Sequence, residues 1–218
     1  MKTSIIIPAL NEVGSVGKVL EEIPKDVADE IIVVDNHSTD GTQELVRKMG
    51  YKIIQQKGKG FGAAITSGVE EAKGEVMLVI NADGSQDPKD IPRLLEKINE
   101  GYDLVLASRY LPGAGSDDDT LLHYFGNKMF TWLCNKIYKV GISDSLYFFL
   151  AAKKQIFEKI QFESPNSGYA IELPIKVHKA GFKIAEIPSF EKKRMAGKAK
   201  MNTYIGGFQI LLKILKPY

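Results

Sequence analysis

"VMLVINADGSQDP", residues 76–88, decides the reading of the fold. An unbroken apolar run, Val76-Met77-Leu78-Val79-Ile80, reads as a strand covered on both faces, and it stops abruptly at Asn81-Ala82-Asp83. Gly84 permits a sharp turn, and Asp87-Pro88 has the form of a helix start. An acid held at the end of a core strand, with a second acid just behind it, calls for a cation nearby.

The same strand signal recurs on either side. IIIP (5–8), EIIVVD (30–35), YKIIQQ (51–56), EVMLVI (75–80) and YDLVLAS (102–108) are predicted strands. Helical patterns separate them: NEVGSVGKVLEEI (11–23), a helix capped from STDGT (38–42), GFGAAITSGVEEA (60–72), and one entered at DPKDIP (87–92). Continuous rather than alternating apolar runs, joined through helices, predict a parallel, right-handed α/β sheet. YLPGAGSDDD (110–119) has no apolar periodicity and reads as an internal boundary or a mobile lid. Beyond it the pattern predicts an aromatic-rich helix over 120–139, a strand near 146–152 and a helix through YAIELPIKVHKAG (169–181). A strand KIAEIP (183–188), a basic loop and a terminal helix NTYIGGFQILLKIL (202–215) complete the chain.

At 218 residues the chain is expected to form one domain with a substantial core. A net charge of +2 gives no reason to expect a nucleic-acid partner, although EKKRMAGKAK (191–200) is strongly basic and SDDD (116–119) acidic. Cys134 is the only cysteine, which excludes an internal disulfide and suits a reducing, cytoplasmic setting. No signal peptide is read at the N-terminus, and no apolar segment reaches the roughly 18–20 residues that span a bilayer.

Open parallel sheets bind ligands beyond the carboxyl ends of their strands. Three polar clusters fall there: Asn11-Glu12, Asp35-Asn36 and Asn81-Ala82-Asp83. Each alone reads as a helix cap or a turn. Brought together they would repel unless a cation joins them, and a hard divalent ion shared with ligand phosphates satisfies that need. The stretch KGKGFGAA (57–64) lacks the order of a P-loop, and PALNE after the first strand is not a dinucleotide fingerprint. Its glycines suit either close approach to a nucleotide or a plain flexible connection.

IIIPALNE (5–12), IIVVDNHSTDGT (31–42), GKGFGAAITSG (58–68), NADGSQDPKDIP (81–92) and LASRY (106–110) resemble the family 2 glycosyltransferases. Looser matches follow in GNK (126–128), Asp144, EIP (186–188) and RMAGKAK (194–200). The nearest branch is that of the polyprenyl-phosphate (dolichol-phosphate) mannose synthases. The resemblance implies an α/β GT-A fold, a single nucleotide-diphospho-sugar-transferase domain over 1–218. Residues 1–110 would bind the nucleotide sugar; 111–218 would bind the acceptor and end in an amphipathic helix. It implies that Pro8, Leu10, Glu12 and Asp35 line base and ribose, with Lys59, Gly60, Asn81 and Ala82 completing the donor site. Asp83 matches the second acid of the family's Asp-x-Asp motif and is the leading ligand for Mg²⁺ or Mn²⁺, with Ser85 or Gln86 beside it. Arg109 and Lys128 match cations that meet donor or acceptor phosphates. Arg194 and Lys200 match the basic pair of a loop that folds over the reacting phosphates. The chain departs from the pattern at Asn36, Asn81 and Ser85, which lowers the number of charged metal ligands.

The implied reaction moves a hexose from GDP-mannose or a UDP-hexose to a polyprenyl phosphate with inversion. Two alternatives stand beside it: transfer to a sugar hydroxyl with Asp144 as base, and a weakly catalytic nucleotide-sugar-binding subunit. Glu172 is expected to pair with a base across a packed helix. The helical segment 128–138 is expected to pack in the core. Residues 204–218 are expected to form an interfacial helix at the cytoplasmic membrane face, with Lys213 and Lys216 toward anionic lipid.

Overall fold

The computed structural model describes residues 1–166, 168–197 and 203–216. The strand runs of the first half form β1 (Thr3–Ala9), β2 (Glu30–Asp35), β3 (Lys52–Gln55), β4 (Val76–Val79) and β5 (Leu104–Ser108). Between them lie α1 (Val16–Glu22), α2 (Thr42–Lys48), α3 (Phe61–Glu71) and, after a 3-10 turn at Pro88–Asp90, α4 (Ile91–Asn99). The second half contributes β6 (Gly115–Ser116), α5 (Leu121–Tyr138), β7 (Leu150–Lys153), α6 (Lys154–Lys159) and α7 (Gly168–Lys179). It ends with β8 (Ile184–Pro188), β9 (Phe190–Glu191) and α8 (Thr203–Leu215).

Seven strands form one sheet in the order β3-β2-β1-β4-β7-β5-β8. β1 runs parallel to both neighbours, Ile5 opposite Ile31 on one side and Leu78 on the other. β7 is the exception: it runs antiparallel between β4 and β5, with Leu78 opposite Ala151 and Val105 opposite the same residue. The sequence places a strand here, but the short run LAA carries no sign of its direction. The preceding residues 145–149 lie outside the strand.

Alternation along each strand divides the core into two layers. Ile6, Ile32, Val34, Met77 and Val79 join Ile65 of α3, Ile171 and Leu173 of α7 and Ile210 and Ile214 of α8. Ile5, Ile7, Val33, Leu78 and Ile80 join Val16 and Leu20 of α1, Val46 of α2 and Leu94 and Ile98 of α4. Residues 110–119 are anchored rather than free, since β6 pairs with β9, Ser116 opposite Glu191. The 1–110 and 111–218 halves share the sheet, because β7 fills its middle.

Segment 128–138 meets the core-packing expectation on one face, where Phe130, Leu133, Cys134 and Tyr138 lie on the core, and departs from it on the other. Only Thr131 and Cys134 of α5 are buried, whereas Met129, Trp132 and Ile137 face solvent. Among the described residues no helix is long and apolar enough to cross a membrane.

Candidate active site

The turns after β1, β2 and β4 meet beyond the carboxyl edge of the sheet. After β1 the backbone of Asn11 adopts φ 53°, a left-handed turn that asparagine tolerates. Its N–H donates to Ser38 Oγ (2.8 Å), and its own Oδ1 accepts from the Thr39 N–H (2.8 Å). Glu12 follows, fixed by its N–H on Thr42 Oγ1 (2.9 Å) and by Ser15, whose hydroxyl donates to Glu12 Oε2 (3.0 Å). Pro8 and Leu10 are half-buried on the same turn.

Asp35 ends β2 fully buried. Its Oδ2 accepts from the Ser38 N–H (3.0 Å) and Gln43 Nε2 (2.8 Å), whereas Oδ1 has no partner among the described residues. A buried acceptor left open costs roughly 1–3 kcal/mol unless a ligand or water donates to it.

At the end of β4, Asp83 Oδ1 accepts from the N–H (3.0 Å) and hydroxyl (2.8 Å) of Ser85. Its Oδ2 takes no hydrogen bond from the described residues and stands 3.8 Å from Arg194 Nη1. Ser85 thus orients the carboxylate. Gln86 corrects the expectation placed on it: it is buried, its Oε1 accepts from the Asn81 N–H (2.8 Å) and its Nε2 donates to the Phe148 carbonyl (3.2 Å). Both ends of the amide hold the turn in shape, so Gln86 is a poor metal ligand. Ala82 is buried in the core, and Asn81 is half-buried above it.

Arg194 brings Glu12 and Asp83 together. Its Nη2 lies 2.7 Å from Glu12 Oε1, and the loop that carries it is strapped to the β4 turn. The Lys192 N–H donates to the Ser85 carbonyl (2.8 Å) and the Met195 N–H to that of Asp83 (2.9 Å). Gly84, at φ 76°, has the Met195 side chain directly over its α-carbon, where a β-carbon would come within 2.5 Å of sulfur. Lys200 lies outside the described residues.

Among the described residues no group of three His, Cys, Asp or Glu could hold a metal alone. One open carboxylate oxygen on Asp83 with Glu12 nearby does fit an ion that takes its other ligands from phosphates and water, the habit of Mg²⁺.

The glycine-rich stretch is explained chiefly by packing. A β-carbon at Gly60 would come within 2.4 Å of the Pro165 carbonyl, and one at Gly62 within 2.2 Å of the Ser164 carbonyl. Lys59 projects into solvent.

Arg109 and Asp144 need the largest correction. Both are buried, and Asp144 Oδ2 accepts from Arg109 Nε (2.7 Å) while Oδ1 accepts from Nη2 (3.1 Å). Oδ1 also accepts from the N–H groups of Leu146 and Tyr147, and Oδ2 from that of Arg109. Every lone pair of Asp144 is occupied, which leaves it no capacity to act as a base. Arg109 is likewise engaged, with Nη1 3.0 Å from Glu191 Oε2 and 3.5 Å from Asp119 Oδ1. Burial opposes the Arg109 charge, yet Asp144 and Glu191 raise its pKa above the ordinary value. It is a cation held by three acids, and it lines, with Asp119, the cavity that also holds Lys128. Sequence reasoning missed Asp119 and Glu191, which lie 10 and 82 residues away in the chain.

Lys128 is better placed. Its Nζ sits 4.4 Å from the centre of the Tyr110 ring, at a cavity of about 410 Å³ lined by Tyr110, Gly115, Ser116, Leu121 and Tyr124. The α5 N-terminus, capped by Thr120, opens on the same cavity.

A mainly parallel sheet of this order, with acids at the ends of β1, β2 and β4, has the form of the GT-A fold. The chain belongs to glycosyl transferase family 2, whose family model matches residues 4–161. It is 30% identical over 215 residues to a dolichyl-phosphate hexose transferase of Haloferax volcanii, covering 98% of this chain and 92% of that one. It is also 30% identical over 215 residues to the dolichol-phosphate mannosyltransferase of Pyrococcus furiosus, covering 92% of this chain and 59% of that longer one. In fold it matches glucosyl-3-phosphoglycerate synthase from Mycobacterium tuberculosis, solved with Mn²⁺, UDP and phosphoglyceric acid. The TM-score is 0.79 at 20% identity, covering 98% of this chain and 77% of that one.

Proposed function

We propose that the protein transfers a hexose from a nucleotide diphosphate sugar to a polyprenyl phosphate, with inversion at the anomeric carbon. The observation that carries this reading is the saturation of Asp144. A sugar hydroxyl must lose a proton as it attacks, whereas a phosphate monoester has its second pKa near about 6 and arrives largely as the dianion. A site whose expected base has no open lone pair suits the phosphate. The acceptor oxygen attacks the anomeric carbon as the bond to the diphosphate breaks, and the nucleoside diphosphate leaves. A divalent cation shared by Asp83 and the donor phosphates would supply Lewis-acid stabilisation of that leaving group. Glu12 and Asp83 position the donor, and Arg194 is released to phosphate when the donor arrives. Lys128 receives the acceptor phosphate in its cavity.

The donor reading is supported by Asp35. One open carboxylate oxygen suits the single imide N–H of uracil, while guanine presents adjacent N–H donors that call for both oxygens. We therefore expect a UDP-hexose to serve better than GDP-mannose. The test is hexose transfer from each donor, with Mn²⁺, to a short polyprenyl phosphate and to the matching free polyprenol. Product on the phosphate alone, formed from the uridine donor, is expected. Equal transfer to the free alcohol would overturn the acceptor assignment, and preference for GDP-mannose would overturn the base assignment.

A further inference from the structure

α5 and α8 lie side by side. Gly207 faces the Phe130 ring, and the Tyr138 hydroxyl donates to the Ile214 carbonyl (2.9 Å). Each helix turns one set of side chains inward, Thr131 and Cys134 from α5, Ile210 and Ile214 from α8. Each also turns an apolar stripe outward. On α5, Leu122, Phe125, Met129 and Trp132 recur at helical spacing and are 60, 67, 51 and 58% exposed. On α8, Phe208, Leu212 and Leu215 do the same, 63, 53 and 58% exposed. Isolated exposed apolar residues are ordinary, but two parallel stripes on neighbouring helices form a binding surface.

Charge identifies what the surface meets. None of the chain's 27 acidic residues lies in α5 or α8. Lys136 extends along the stripe with Nζ 4.7 Å from the centre of the Trp132 ring, and exposed Lys139 follows at the end of the helix. The expectation for Lys216 is corrected: it pairs with Glu163 at 2.5 Å, so the basic rim belongs to α5 rather than to the chain's last turn.

We propose that this face is a docking platform for an anionic lipid bilayer, with α5 as its principal element. The apolar stripes sink to the boundary between headgroups and acyl chains, the indole lies at headgroup level, and the lysines meet lipid phosphate. Neither helix carries a carboxylate into the boundary; the nearest acids, Asp117 and Asp118 before α5 and Glu163 beside Lys216, lie at the ends of the stripes. A second copy suits it less well, because a two-fold contact would set the Lys136 side chains on one apolar face with no acid to pair them. The inference goes beyond the proposed chemistry and does not depend on it.

Trp132 is the chain's only tryptophan, so its fluorescence reports this face directly. The full chain is mixed with vesicles of phosphatidylcholine, with and without phosphatidylglycerol. The expected result is a blue shift, quenching by brominated acyl chains and co-flotation, strongest with phosphatidylglycerol and weakened by salt. Phe125→Glu with Met129→Glu should lower the vesicle-bound fraction at least tenfold. Lys136→Glu, a surface change compatible with folding, should reduce binding to anionic vesicles and spare the weaker binding to neutral ones. An unshifted emission with the protein left at the bottom of the gradient would overturn the proposal. So would a concentration-dependent dimer, seen by light scattering and abolished by the double variant, in the absence of vesicle binding.

Discussion

Asp144 shows how a residue's surroundings decide its chemistry. In sequence it stands after Gly141-Ile142-Ser143 and before an apolar run, a position as compatible with a turn or a buried ion pair as with a base. The structure fills both oxygens with Arg109 and three backbone N–H groups. Asp144→Asn should therefore act through folding: leaving Arg109 without its closest partner costs about 3 kcal/mol. We expect a lowered melting temperature, with lost activity following lost fold. A variant that melts like the wild type but has no turnover would restore Asp144 as a base. Gln86 teaches the same lesson from the other side. Its type suits a metal ligand, but its direction, toward Asn81 and Phe148, is a tertiary property.

Among the elements, β1, β2, β4 and β5 were readable because strands covered on both faces leave continuous apolar runs, whereas β3, at the sheet edge and only half-buried, was marked by Ile53-Ile54 alone. β7 was legible as a strand but not as an antiparallel insertion, and α5 packs on the core through one face only, a division its apolar residues, spread over more than one face, did not reveal. Glu172 on α7 was read as a structural ion-pair partner, and it is one. It is fully buried, 2.6 Å from Lys176, and accepts the N–H groups of Glu163 (2.8 Å) and Ser164 (2.7 Å). Those bonds fix the segment whose Ser164 carbonyl packs on Gly62. Burial alone would raise the Glu172 pKa, but Lys176 and the N–H donors carry it below the ordinary 4.5. A depressed carboxyl stabilises the fold at pH above its unfolded value and loses that contribution as pH falls through the folded value. Glu172→Gln should thus cost about 1–3 kcal/mol at neutral pH, with the gap to wild type closing below 4.5 in acid denaturation. A pH-independent difference would contradict the pairing.

The whole molecule is organised by one sheet that both halves build. The expected division at residue 110 does not divide the sheet: β7 joins β4 to β5, so neither half closes its own core. A fragment of residues 1–110 is expected to lack a cooperative melting transition, and one matching the full chain would show that the halves fold independently. The cation-holding role proposed for Asp83 belongs to the edge of that sheet, where Oδ2 stands open toward Arg194. Its most direct test is thermal stabilisation by Mn²⁺ and UDP, separately and together, in wild type and Asp83→Asn. Wild type should gain far more from the pair than from the two ligands singly, and Asp83→Asn should lose that excess while melting normally without ligand. An undiminished joint gain in the variant would show that Asp83 does not hold the cation.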